Sequence, residues 1–258
     1  MAAIITKAAV IGSGVMGASI AAHLANSGIS SLLLDIVPSA LTPEESAKGL
    51  TLGDRSVRNR LALEAMGKLS KITPSPLYDE SVVSRITPGN MEDDLEKIQS
   101  VDWVIEVVVE RLAVKRELLH KIESHWQPGM IVSSNTSGIS INEMVEGCGE
   151  AFKTHFVGTH FFNPPRYMKL MEIIPGKSTD PVIVQQLARF CERTLGKGVV
   201  IAKDTPNFIA NRIGTYGLLI TLQIMADKGY TVDEIDAVTG PAMGRPKSAT
   251  FRTLDLVG

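Results

Sequence analysis

The chain is predicted to fold as an α/β protein, with a doubly wound, mainly parallel sheet that carries a helical insertion and is followed by an incomplete all-α C-terminal domain. Three observations predict it. Strand-length apolar runs alternate with helical stretches from Lys7 to about residue 202, the order that produces a parallel sheet covered on both faces. Gly12, Gly14 and Gly17 lie between the first apolar run and the first helical stretch. From Lys203 onward only helical patterns follow. The expected domains are therefore 1–202, with the insertion at about 43–71, and 203–258.

Lys7–Ile11 reads as the first strand and Val15–Ala25 as the first helix, with the glycines between them. The first glycine allows the turn, the second lets backbone approach a phosphate, and the third permits close helix–strand packing. Unpaired N–H groups at such a helix start are where the pyrophosphate of a dinucleotide rests. The second strand, Ser31–Asp35, ends in a carboxylate 23 positions after Gly12, the spacing expected for an acid on the ribose hydroxyls. Ile36 and Val37 follow, with no Arg to receive a 2′-phosphate, so a Rossmann-like domain binding NAD rather than NADP is expected. The plainer alternative is a glycine-rich βα turn with a capping Asp.

Between Asp35 and the next expected strand, Trp103–Val109, lies a long insertion. Within it Val57, Leu61, Ala65 and Leu69 recur every four residues, which predicts one amphipathic helix over Arg55–Lys71. Arg55, Arg58, Arg60, Lys68 and Lys71 are offset in that stretch only by Glu64, so its outer face is either a solvated basic surface or one that meets an anionic ligand.

Helices are expected near Val114–His125 and Ile141–Glu146, and a strand at Met130–Ser133. Phe156–Phe161 and Met168–Ile174 read as an antiparallel pair joined by a short proline-containing loop. A helix near Pro181–Thr194 leads to a last strand, Val199–Ile201. Thr205 and Pro206 suggest the start of a helix running to Lys228. Ile209, Ile213, Leu218, Leu219, Leu222 and Met225 cover most of its circumference, so it is expected to be buried on several sides. Thr231 and Glu234 form a capping-box pattern for a shorter helix that stops before Gly240.

Composition narrows the function. With 44% apolar and 21% charged residues and a net charge of −2, nothing favours nucleic acid or an anionic membrane as partner. No apolar run approaches the roughly 20 residues needed to span a bilayer. Cys148 and Cys191 are far apart and lack metal-type or redox-type spacing. The first strand begins close to the start of the sequence, leaving no room for a targeting peptide, so a cytoplasmic location is expected.

His160 ends its strand, and Glu172 is embedded in the apolar strand beside it. A carboxylate there requires a cation or donor, and the paired strand offers the imidazole. Together they make a general base held in one tautomer by a carboxylate, or a purely structural buried pair; the neighbouring nucleotide motif favours the base. His23, His120, His125 and His155 sit on helices or lack such an arrangement and read as surface or packing residues. Ser137 and Asn211 could each donate to an oxygen gaining negative charge, or serve turn and helix hydrogen bonding. Glu110 and Lys115 follow a strand and could reach a cofactor from the same sheet edge.

The segments Ile11–Gly17, Val109–Lys115, Ser134–Ser137, His160–Pro164 and Lys203–Pro206 together resemble the L-3-hydroxyacyl-CoA dehydrogenase family, in its order and over nearly the whole chain. The Asn163–Tyr167 stretch is similar to bacterial multidomain fatty-acid β-oxidation proteins. The resemblance implies His160 as base, Glu172 as its partner, and Ser137 and Asn211 near the substrate oxygen. It also implies NAD contacts from the glycine loop (Gly12, Gly14, Val15, Met16 and Gly17), Asp35, Glu110, Lys115, Ser137 and Asn163, and no metal. Its helical insertion covers the CoA moiety, although no single CoA-binding residue carries over. Asn207 stands where a glycine is usual in the family.

The expected reaction is NAD-dependent oxidation of a (3S)-3-hydroxyacyl-CoA to the 3-oxoacyl-CoA. The rivals are a dehydrogenase of a non-CoA 3-hydroxy acid, a reductase using a lysine acid, and a non-catalytic nucleotide-binding module. Family members continue beyond the point where this sequence ends, so a truncated chain or fragment is expected, with its apolar helix covered in a homodimer.

Overall fold

The computed structural model describes residues 5–245 and 247–257. They form two compact units, Met1–Phe208 and Ile209–Gly258.

The first unit is built on one eight-stranded sheet: β1 (Lys7–Ile11), β2 (Ser30–Asp35), β3 (Ile86–Asn90), β4 (Trp103–Glu106), β5 (Ile131–Ser134), β6 (Phe156–Phe161), β7 (Leu170–Pro175) and β8 (Gly198–Ile201). Their order is β3-β2-β1-β4-β5-β6-β7-β8. The first six are parallel to one another, β7 is antiparallel to β6, and β8 is parallel to β7. The order reverses direction at β1, which opens a crevice beyond the carboxyl ends of β1 and β4.

Strand periodicity divides the apolar residues between two cores. Ala8, Val10, Leu33, Trp103, Ile105, Met171 and Ile173 face one layer, and Ala9, Ile11, Leu34, Val104, Val132 and Ile174 the other. The first layer is closed by α1 (Val15–Asn26), α4 (Arg60–Leu69) and α8 (Pro181–Arg193), and the second by α5 (Leu112–Glu123), α6 (Ile141–Met144) and α7 (Glu150–Thr154). Two short helices, α2 (Pro43–Ala47) and α3 (Arg55–Arg58), complete the insertion. The second unit holds α9 (Ala210–Lys228), α10 (Val232–Thr239) and α11 (Phe251–Val257).

Several expectations change. The helix expected over Arg55–Lys71 is broken at Asn59 into α3 and α4, because the buried Asn59 side chain accepts a hydrogen bond from Asn90 Nδ2 at 2.7 Å. Its arginines are not a free basic face. Arg58 pairs with Asp93 at 2.6 Å and Glu92 at 2.9 Å, and Arg60 pairs with Glu45, all acids outside the window in which the charges were counted. Strand β3 escaped the sequence reading because Pro88 and Gly89 interrupt its pattern; as an edge strand it tolerates the proline. Strand β4 stops at Glu106 rather than Val109, and β7 starts at Leu170 rather than Met168.

The helix expected from Pro206 begins at Ala210. Asn207 and Phe208 have φ of 61° and 48°, in the left-handed region, so a right-handed helix cannot pass through them. Asp204, just before the expected start, is bonded to the residues around α6. Its carboxylate accepts from the backbone N–H of Ile141 and Asn142, both at 3.0 Å, and from Ser140 Oγ at 2.8 Å, tying residues 203–208 to the sheet unit. That, with the burial of Phe208, puts the unit boundary after Phe208 rather than after Ala202. Among the described residues none of α9 is buried, with Ile213 and Tyr216 each 68% exposed, whereas the sequence predicts a helix buried on several sides. The capping box at Thr231 and Glu234 is formed, with Thr231 N–H donating to Glu234 Oε2 at 2.8 Å.

Candidate active site

The glycine turn takes its shape from close approach. Gly12 has φ of +104°, and a Cβ there would lie 2.5 Å from the Val107 carbonyl oxygen. A Cβ on Gly17 would lie 1.8 Å from the Gly12 carbonyl, so any side chain would push α1 off β1. Around Gly14, by contrast, a Cβ would meet nothing within 4 Å, because that backbone faces an open cleft. The cleft, of about 630 Å³, is lined by Gly12, Gly14, Asp35–Val37 and Val107–Val109 among others. Val15 is exposed and Met16 half-buried beside it.

Asp35 stands at the end of β2 facing the glycine turn. Its Oδ2 accepts from the Ser13 N–H at 2.6 Å and from the Ser13 hydroxyl, and its Oδ1 from the Ile36 N–H at 2.7 Å. The carboxylate thus ties the turn to the strand end, a link through Ser13 that the sequence reading missed.

A polar network lies under the neighbouring strand ends. Glu106 is fully buried at the end of β4 and accepts from the Val108 N–H at 2.7 Å, from Lys115 Nζ at 2.7 Å and 3.0 Å, and from Ser134 Oγ. Lys115, expected to reach the cofactor, is only 1% exposed, with its ammonium held between Glu106 and, at 3.2 Å, Glu110. Glu110 in turn accepts from Thr136 Oγ1 at 2.5 Å and the Ser137 N–H at 2.8 Å. Partial burial works to raise the Glu110 pKa, but the Thr136 hydroxyl, the Lys115 charge and the Ser137 N–H outweigh it and hold the carboxyl below its usual range. Glu106 also escaped the sequence reading, although it was legible as a carboxylate closing the apolar run Trp103–Ile105, the signal that pointed to Glu172.

His160 and Glu172 are directly opposed in the antiparallel β6–β7 ladder. His160 Nδ1 lies 2.8 Å from Glu172 Oε2, with Glu172 fully buried and His160 5% exposed. The imidazole packs against the rings of Phe162 and Phe208, at centroid distances of 4.4 Å and 5.8 Å. With Nδ1 engaged by a carboxylate, Nε2 is left as the acceptor, the tautomer a base requires. Because β6 is parallel to β1, β4 and β5, His160 lies at the same sheet edge as the glycine turn and the Glu106 network. Asn135 braces this edge by accepting from the Phe161 N–H at 2.9 Å. Ser137 and Asn163 are exposed on the loops after β5 and β6. Asn211 lies in the first turn of α9, in the second unit.

Residues 7–205 match the family described as "3-hydroxyacyl-CoA dehydrogenase, NAD binding domain". The chain belongs to this family. In the 3-hydroxyacyl-CoA dehydrogenase family it is 63% identical over 254 residues to a "Probable 3-hydroxyacyl-CoA dehydrogenase" of Bacillus subtilis, covering 98% of this chain but 32% of that protein. It is 49% identical over 254 residues to one from Deinococcus radiodurans, covering 98% of this chain and 69% of that one. The crystal structure of (S)-3-hydroxybutyryl-CoA dehydrogenase from Ralstonia eutropha superposes with a TM-score of 0.73 at 25% identity, covering 99% of this chain and 83% of that one. The chain thus spans about a third of the length of its Bacillus relative, and includes the NAD-binding domain of the family.

Proposed function

We propose that the protein oxidises a (3S)-3-hydroxyacyl-CoA to the 3-oxoacyl-CoA with NAD, as a step of fatty-acid oxidation. The observation that carries this reading is the 2.8 Å contact between His160 Nδ1 and the buried Glu172 carboxylate at the sheet edge that holds the dinucleotide motif. The glycine turn fits a pyrophosphate, since its backbone is bare where the cleft opens at Gly14. NAD, when bound, supplies the hydride acceptor. Gly12, Gly14, Val15 and Met16 would hold its phosphates, with Gly17 keeping the turn packed against β1, Asp35 would hold its ribose, and Glu110, Ser137 and Asn163 would border the nicotinamide side. Lys115 acts through Glu110 rather than by direct contact.

On the protein's side, His160 Nε2 accepts the hydroxyl proton of the substrate as the C3 hydrogen leaves, and Glu172 stabilises the imidazolium so formed. Ser137 positions the substrate oxygen, and the family resemblance alone gives Asn211 a like role. His160→Gln is expected to lower kcat by roughly 10²–10⁴ with NAD affinity little changed, read from NADH absorbance with hydroxyacyl-CoA esters and from cofactor titration. Turnover within a few-fold of the parent would remove His160 from the role of base.

The apolar exposure of α9, including Ile213, Tyr216 and Leu219, supports a homodimer. Light scattering that gives a monomer mass at micromolar concentration would refute it. Among the described residues no helix is long and apolar enough to cross a membrane, and a cytoplasmic location is the reading that goes with this chemistry.

A further inference from the structure

Helix α5 leaves the sheet at the carboxyl end of β4 and precedes the parallel strand β5, so its last turn lies at the opposite edge from His160. On that turn His120 and Glu123 share a face, one turn apart. The chain returns to them through the turn Val145–Gly149, which places the buried Cys148 beside both. His120 Nδ1 lies 3.7 Å from Cys148 Sγ and 3.7 Å from Glu123 Oε2, and the three donor atoms all lie within 4.8 Å of one another.

We propose that His120, Glu123 and Cys148 form a binding site for a zinc-class divalent transition metal. Bond lengths of about 2.3 Å to sulfur and 2.0–2.2 Å to nitrogen or oxygen set tetrahedral donors roughly 3.3–3.6 Å apart, close to the 3.7 Å that separates His120 Nδ1 from each of the other two donors. Thiolate and imidazole select zinc, cobalt or copper over magnesium and calcium, which prefer oxygen alone. Three protein ligands leave a fourth position for water, and the His120 side chain, 47% exposed, leaves the site accessible.

The surroundings organise the ligands. Glu123 Oε1 accepts the Gly149 N–H at 2.6 Å, which turns Oε2 toward the imidazole. Gly147 adopts φ of +87°, and a Cβ there would sit 3.2 Å from His120 Cε1; only a glycine both makes this turn and leaves room for the ring. The neighbouring ammonium of Lys153 is paired with Glu150 at 2.8 Å. Cys148 binds as the thiolate, so the ion displaces its thiol proton, which passes to the buffer.

The site is remote from the dehydrogenase residues, so its test is independent of the proposed activity. The reduced full chain is titrated with Co²⁺ and, in competition, with Zn²⁺. One equivalent is expected to give the strong visible bands of a four-coordinate ion with sulfur-to-cobalt charge transfer in the near ultraviolet. Charge transfer is lost in Cys148→Ser and kept in Cys191→Ser, whose thiol is fully buried elsewhere in the core. Zn²⁺ also raises the Tm of the parent and not of Cys148→Ser. His120→Gln, at a half-exposed position that leaves the core intact, weakens Zn²⁺ binding by about 10-fold or more. A weak six-coordinate spectrum without charge transfer, or a signal unchanged in Cys148→Ser or His120→Gln, would overturn the site.

Discussion

At the scale of single residues, the chain invests three buried charged groups at one sheet edge: Glu106, Lys115 and Glu172. Each is costly to bury alone, and each is matched by a partner within hydrogen-bond distance. Glu172→Gln removes the charge that would stabilise an imidazolium in the proposed mechanism while keeping the shape of the side chain. It is expected to lower kcat by at least about 10-fold and to shift the pH–rate profile; a profile superposing on that of the parent would leave Glu172 a structural residue. Asp35 makes a separate prediction. In the proposed role its carboxylate would accept ribose hydroxyls and repel a 2′-phosphate, so calorimetric titration should give tighter binding of NAD than of NADP, and Asp35→Ser should narrow the gap. Preference for NADP in the parent would overturn that role.

At the scale of elements, the insertion shows how pairing across the fold changes a charge pattern. Read locally, Arg58 and Arg60 belong to a basic face; in the structure both are taken up by carboxylates from other segments. The Arg58 guanidinium, which heads the groups acting on Asp93, holds that carboxyl at about 2, so the pair stays charged at any pH the protein works at. Their joint replacement by Ala is therefore expected to change the KM for a CoA ester by less than about twofold. A large rise for the ester, with a non-CoA analogue unaffected, would return these side chains to the substrate. Helix α9 illustrates the reverse case, because its stop at the left-handed Gly229 follows a local rule while its apolar circumference stays unburied among the described residues.

Considering the molecule as a whole, stability is tied to pH through α1. His23 is buried on that helix, with Nε2 3.1 Å from the Leu195 carbonyl and no partner for Nδ1 among the described residues. Burial, and then the Lys197 charge, lower its pKa from 6.5 to about 4. Between those values the unfolded chain binds a proton that the folded chain refuses, so stability falls as pH drops from 6.5 toward 4 and is unaffected by this group above 7. The full loss is about 3 kcal/mol. Urea titrations at stepped pH should show this acid slope in the parent and a shallower one in His23→Gln; parallel slopes would mean that another group controls it.

Local patterns in the sequence determined the glycine turn and the strand-end Asp35, the antiparallel pairing of β6 with β7, and with it the opposition of His160 and Glu172. Each of these rests on a short-range rule: a turn that needs positive φ, a strand period of two, or a buried carboxylate that needs a donor. Tertiary structure alone decided what depends on segments distant in the chain. It broke the insertion helix at Asn59, recruited the edge strand β3 despite Pro88, and delayed α9 to Ala210 because residues 203–208 are held against the sheet. It also brought Cys148 to His120 and Glu123, although the cysteines lack metal-type spacing along the chain. The physical reason is common to all of these: burial and charge pairing are set by whichever atoms arrive in space, and a reading along the chain counts only neighbours in sequence.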